Sequence, residues 1–193
     1  MSEPVPDLGA YTPPRDFARG RSALTELAWM VVQALFVSSF LPGSGHRRFL
    51  LRLFGAAIGQ KVVLKPGIRV KFPWRLSIGD HSWIGEHAWI DNLAPVTIGN
   101  DCCVSQGAYL CTGSHDWTSS SFGLITRPIT LEPGAWVAAR AVVGPGVTVG
   151  RGAVLGLGSV ATRDLKPWTV YAGVPATPIK QRAIAPSHKE PTL

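Results

Sequence analysis

The residue of this chain best suited to do chemistry is His115, in the run Cys111-Thr112-Gly113-Ser114-His115-Asp116-Trp117. A neutral imidazole against a groove can take a proton from a hydroxyl near neutral pH, which is general-base chemistry. A lone histidine on a surface corner is usually an ordinary residue, so its surroundings must decide. Covalent catalysis has little support. None of Cys102, Cys103 and Cys111 lies in a Cys–His–acid pattern, and an acyl-cysteine needs such a neighbour to activate the thiol.

What must position His115 is an internal repeat. An aliphatic residue returns at Ile58, Leu64, Val70, then Ile78, Ile84, Ile90, then Ile98, Val104, Leu110. It continues at Leu131, Val137, Val143 and at Val149, Leu155, Ala161. The position four further on is mostly small, as at Ser82, Ala88, Cys102, Ala108, Ser114 and Ala135. Hexapeptide repeats mark a parallel β-helix solenoid. Each hexad makes one short strand and one turn, so three hexads close a triangular coil. The aliphatic residues point inward and stack at about 4.8 Å from coil to coil.

The register locates a loop. The steps from Ile58 to Ile78 and from Ile78 to Ile98 are each 20 residues, and Leu131 to Val149 is 18. Ile98 to Leu131 is 33, so thirteen residues, from Asp116 to Pro128, leave the third coil just after His115. The expected fold is an all-β solenoid of about five triangular coils with that loop extruded. Cys102 falls on a small-residue position and is read as core packing. His81 and His87 are one hexad apart and so on different faces, and no second histidine follows His115 in the loop. A three-histidine centre fails on that geometry, and no metal is expected.

The chain divides into a flexible N-terminal tail (1–21), a helical segment (22–55), the solenoid (56–166, with loop 116–128) and a C-terminal turn and tail (167–193). Leu24 to Leu41 is strongly apolar, opened by a Ser22 cap and closed by Pro42-Gly43. It is shorter than the ~20 apolar residues that span a bilayer. From Leu27 to Gly79 there is no acidic residue but there are eight basic ones, Arg47, Arg48, Arg52, Lys61, Lys65, Arg69, Lys71 and Arg75, against a net charge of +7 for the whole chain. Two readings stand: a helix capping the open end of the solenoid with a solvated basic face, or peripheral contact with an anionic membrane surface. Nucleic acid is not an expected partner, since no binding motif accompanies the charge. The three cysteines offer no disulfide framework and the Pro-rich, polar first twenty residues resemble no cleavable signal, so a cytoplasmic setting is expected.

A family resemblance rests on Ile98-Gly99-Asn100-Asp101, on Ser105 through Asp116, and on Phe122-Gly123-Leu124-Ile125-Thr126-Arg127-Pro128-Ile129. It continues in Ala172-Gly173-Val174-Pro175-Ala176, with Arg52-Leu53-Phe54-Gly55 and Phe72-Pro73-Trp74 upstream. These stretches resemble the hexapeptide-repeat acyltransferases. They are similar to the maltose, galactoside and nodulation-factor O-acetyltransferases, and especially to the acetyltransferases of colanic-acid-type exopolysaccharide clusters.

The resemblance implies a left-handed parallel β-helix, a homotrimer, and acetyl-CoA as acyl donor to a hydroxyl of a sugar or exopolysaccharide precursor. His115 would be the general base, at a subunit interface. By matched position, Asp91 and Asn92 would bind sugar hydroxyls or orient His115; alternatively they are turn residues satisfying their own backbone. Trp89 and Tyr109 share an outward column, as a sugar-stacking wall or as the trimer contact. Trp117 belongs to the loop that lids the acceptor side. CoA would lie along Ala139, Leu157, Gly158, Thr162, Arg163 and Lys180. There small residues admit the pantetheine, and the cations either face phosphate or are solvated. Glu86-His87-Ala88-Trp89 departs from the Asn-rich maltose-type pattern, which leaves the acceptor open. N-acetylation of an amino-sugar or antibiotic, or a non-catalytic β-helix scaffold, are the alternatives. The expected place of work is the cytoplasm, and the apolar helix beside eight basic residues suggests a peripheral position at the inner face of the membrane.

Overall fold

A computed structural model of the protein describes residues 5–14 and 17–185, and the outermost parts of both expected tails lie outside them. Two- and three-residue strands stack into three parallel sheets, one per face of a triangular prism. On the first face Ile58, Ile78, Ile98, Leu131 and Val149 are in register; on the second, Leu64, Ile84, Val104, Val137 and Leu155. The third carries Val70, Ile90, Leu110, Val143 and Ala161. All fifteen are buried. An aliphatic column along each face is therefore the core, as the repeat requires.

The coil count needs a correction, from about five to about six. Leu165 bridges to Val149 on the first face, and Tyr171, six residues on, pairs with Leu155 on the second. Only four residues separate Ala161 from Leu165, and Tyr171 breaks the aliphatic pattern, so this last coil does not match the hexad template. The chain then reverses, and Ala176–Gln181 pairs antiparallel with Thr169–Gly173 at the end of the second face.

The corners explain the glycines of the repeat. Asn100 Oδ1 accepts from the Asp80 amide one coil below, and Asp80 Oδ1 accepts from Gln60 N. Gly79 makes room for this ladder: a Cβ there would lie 2.6 Å from Asn100 N. Cys102 is buried, its thiol donates to the Glu132 carbonyl at 3.1 Å, and burial pushes the thiol pKa up. It packs the corner rather than reacting.

The N-terminal segment closes the prism's lower end. Helix α1 (Ala23–Val32) begins at Ser22, whose hydroxyl accepts from Thr25 N. One π-helical turn, Gln33–Val37, and helix α2 (Gly45–Leu53) follow. The exposed edge of the first coil would otherwise leave its strand groups unpaired. Side chains satisfy them: Trp29 donates to Val70 O, Gln33 Oε1 accepts from Val70 N, and Arg48 and Arg52 donate to the carbonyls of Val62 and Ile58. Arg47 is fully buried and donates to Val37, Gly43, Ser39 and Leu41, holding the link between the helices.

Candidate active site

The extruded residues form a hairpin. Gly113–His115 pairs antiparallel with Leu124–Thr126, so the excursion starts at Gly113, and His115 lies opposite Leu124. Its root stands on the coil below. Thr112 donates through its amide and hydroxyl to the Asp91 carbonyl, and its hydroxyl also accepts from Ala94 N. The tip is closed by Asp116, whose carboxylate accepts from the Thr118 amide and hydroxyl and is thereby held below the usual carboxylate pKa.

The hairpin also fixes the imidazole. His115 Nδ1 lies 2.8 Å from the Phe122 carbonyl, and the two rings stack at 4.4 Å. A carbonyl can only accept, so Nδ1 carries the proton and the neutral ring keeps its lone pair on Nε2. Phe122 has φ +47°, a conformation a bulky residue adopts only when its surroundings impose it, and such residues cluster at functional sites. Tyr11 packs edge-on against His115 at 5.8 Å, from an irregular stretch of N-terminal chain that reaches the hairpin where Asp7 N donates to Ser120 O.

A cavity of about 280 Å³ opens beside the ring, lined by Ser114, His115, Asp116, Trp117, Thr118, Ile125, Arg127 and Pro145. Trp117, 77% exposed, is thus the acceptor candidate that shares space with His115. Asn92 is wholly buried, and its amide both donates to and accepts from the Phe72 backbone. It ties two coils together and presents no group outward. Asp91 is nearly buried, accepting from the Tyr109 hydroxyl at 3.1 Å and facing Lys71 at 3.2 Å. Burial foremost, then Cys111 and Asp91, hold the Tyr109 pKa far above its ordinary value, so the phenol remains a donor. A sugar-stacking role for Trp89 is corrected: Arg69 covers one face of the indole at 4.2 Å and Tyr109 the other at 4.5 Å. The rungs run along the solenoid axis, which leaves only the ring edge.

The expected donor residues fall on two corners. Thr162 and Arg163 are exposed on the corner that carries the hairpin, one coil beyond Gly144-Pro145-Gly146, against which Arg127 packs. Ala139, Leu157 and Gly158 stack on the next corner, where Gly158 N donates to Ala139 O, a full face away. Lys180 is exposed on the C-terminal strand, opposite Val170. Sequence reasoning passed over Phe122 as a partner of His115, and Tyr11 and Arg127 near it. It also passed over Trp83 and Trp136, exposed in one column of the second face around Cys103, with the Trp136 indole donating to Ser105. Their signal was an indole at the outward place of a hexad.

The chain is similar to known proteins in sequence and in fold. A family description, the hexapeptide repeat of succinyl-transferase, matches residues 75–111 and 128–163. The WcaF protein of Escherichia coli K12, assigned by name to colanic acid biosynthesis as an acetyltransferase, is 39% identical over 176 residues, covering 91% of this chain and 97% of its own. The chain belongs to the hexapeptide-repeat acetyltransferases. The galactoside O-acetyltransferase of the same organism is 28% identical over 70% of this chain and 68% of its own. A Vibrio cholerae hexapeptide-repeat acetyltransferase, solved with acetyl coenzyme A, superposes with a TM-score of 0.76 at 25% identity, over 86% of this chain and 92% of that one. In this acetyltransferase, then, the hairpin of the third coil carries a histidine beside a cavity, with its Nδ1 held by the Phe122 carbonyl.

Proposed function

We propose that the protein transfers the acetyl group of acetyl-CoA to a hydroxyl of a sugar unit in an exopolysaccharide precursor, with His115 as general base. The observation that carries this reading is the Nδ1 bond to Phe122, which leaves Nε2 as the acceptor beside the cavity. Nε2 takes the hydroxyl proton as the oxygen attacks the thioester carbonyl, forming the new C–O bond and a tetrahedral oxyanion. Collapse of the oxyanion breaks the C–S bond, and the imidazolium returns its proton to the CoA thiolate. The Phe122 carbonyl favours the transient imidazolium and keeps the ring oriented, while positioning by the hairpin supplies the rest. Trp117 and Arg127 line the acceptor side; Asp91 supports the hairpin root through its own carbonyl.

The donor groove is proposed to lie between copies of the chain. Thr162 and Arg163 stand on the hairpin corner, and Ala139, Leu157 and Gly158 stand a face away, so an extended CoA would touch both sets where two solenoids meet. A homotrimer satisfies this with three equivalent sites, and Lys180 and Arg163 would meet phosphates. The colanic acid assignment of WcaF and the galactoside acceptor named for the second relative support a sugar hydroxyl. Acetyl-CoA-dependent thiol release over a panel of mono- and oligosaccharides tests the proposal. Stimulation by one sugar class supports it; release driven only by amines, or none with any acceptor, rejects the O-acetyl reading.

A further inference from the structure

Helix α1 and the π-helical turn that continues it are apolar on both sides: Trp29 and Val37 are buried in the core with Val32 packed against it, and the outer side is apolar as well. On α1 Leu24, Leu27, Met30 and Val31, and on the π-helical turn Leu35 and Phe36, are exposed, while Thr25, Glu26 and Gln33 are half-buried. Phe40 on the link, edge-on to His87, and Phe49 on α2 are also exposed, at 79% and 63%. A helix packed on a core normally buries its apolar stripe and wets the other, and a contiguous exposed apolar face marks a binding surface.

Charge decides what covers it. From Leu27 to Gly79 the chain has eight Lys and Arg and no Asp or Glu, though Arg47 is buried, Lys71 is paired with Asp91 and Arg69 lies on Trp89. Arg48 and Arg52 lie on α2, each bonded to a carbonyl of the first coil, and Lys61 is exposed on that coil. Two such caps facing each other would repel, whereas an anionic surface attracts them. No helix among the described residues is long and apolar enough to cross a membrane. We propose that the α1–α2 cap docks flat on an anionic lipid bilayer. The apolar side chains enter the boundary between headgroups and acyl chains, and the exposed Lys61 meets the headgroups, while Arg48 and Arg52 add the longer-range attraction of their charge as they hold the Val62 and Ile58 carbonyls. This docking is independent of the acetyl transfer.

The test is co-sedimentation of the full chain with vesicles of phosphatidylcholine alone or mixed with phosphatidylglycerol. Binding to the mixed vesicles is expected at low salt and should weaken near 1 M salt, where the screening length falls to about 3 Å. The double variant Leu27→Glu, Leu35→Glu should lose about tenfold or more of that binding, with thermal unfolding and soluble thiol release unchanged. Wild-type protein that stays in the supernatant with both vesicles overturns the proposal, as does binding that the double variant retains. Self-association of the wild type through the cap, abolished by the same variant in light scattering without vesicles, also overturns it.

Discussion

His115 Nδ1 sits 2.8 Å from the carbonyl of Phe122, seven residues on, and the same residue's ring stacks on the imidazole. The hairpin thus holds the proposed base: one residue fixes the tautomer through its backbone and the ring plane through its side chain. In metal-free acid–base catalysis, as in triads, a group that orients the histidine does much of the positioning.

The tautomer is directly observable. Nitrogen NMR of histidine-labelled protein should show the neutral His115 ring protonated at Nδ1, with Nε2 bearing the lone pair. An Nε2–H ring would remove the proposed proton acceptor.

The loop should withstand acid. The Asp116 carboxylate is held below its ordinary range by the Thr118 hydroxyl and amide. A depressed folded-state value means the contribution is present above the unfolded-state value and disappears as pH falls through the folded one. The hairpin should therefore stay closed through the usual carboxylate range and loosen only below it. The Thr118 amide shift reports this directly, and Asp116→Ala should loosen the hairpin at every pH.

The corner ladder should resist added bulk. Gly79→Ala drives a methyl into the Asn100 backbone, and overpacking of this kind costs about 1–3 kcal/mol. Chemical denaturation measures it, and an unchanged midpoint would contradict the ladder.

Arg47 should be a structural residue despite its charge. Four carbonyls depend on its buried guanidinium. Arg47→Met leaves them unsatisfied, and each such group costs about 1–3 kcal/mol. A large fall in thermal stability is expected, with little change in acceptor KM for whatever protein remains folded.

How much of this could be read from the chain follows from the range of each interaction. The hexad carries the three faces because the inward residue recurs at a fixed short interval, so Ile58, Ile78 and Ile98 announce their own stacking. Tyr171 escaped because a four-residue step and an aromatic replaced the pattern at the last coil. The place of His115 at the root of the loop was legible from the register. Its partner Phe122 was not, since a backbone carbonyl leaves no trace in residue type. Asn92 looked like a ligand-binding residue because its amide could serve either role, and only the position of Phe72 one coil below decides. Trp89 fell the same way: the column was visible, but Arg69 covering its free face was not.

The most direct test of the account is kcat/KM for acetyl-CoA-dependent acetylation by His115→Ala, measured beside CoA affinity. The account predicts a loss of about 10²–10⁴-fold with CoA binding retained. Near-native kcat/KM in a protein that still binds CoA would contradict it.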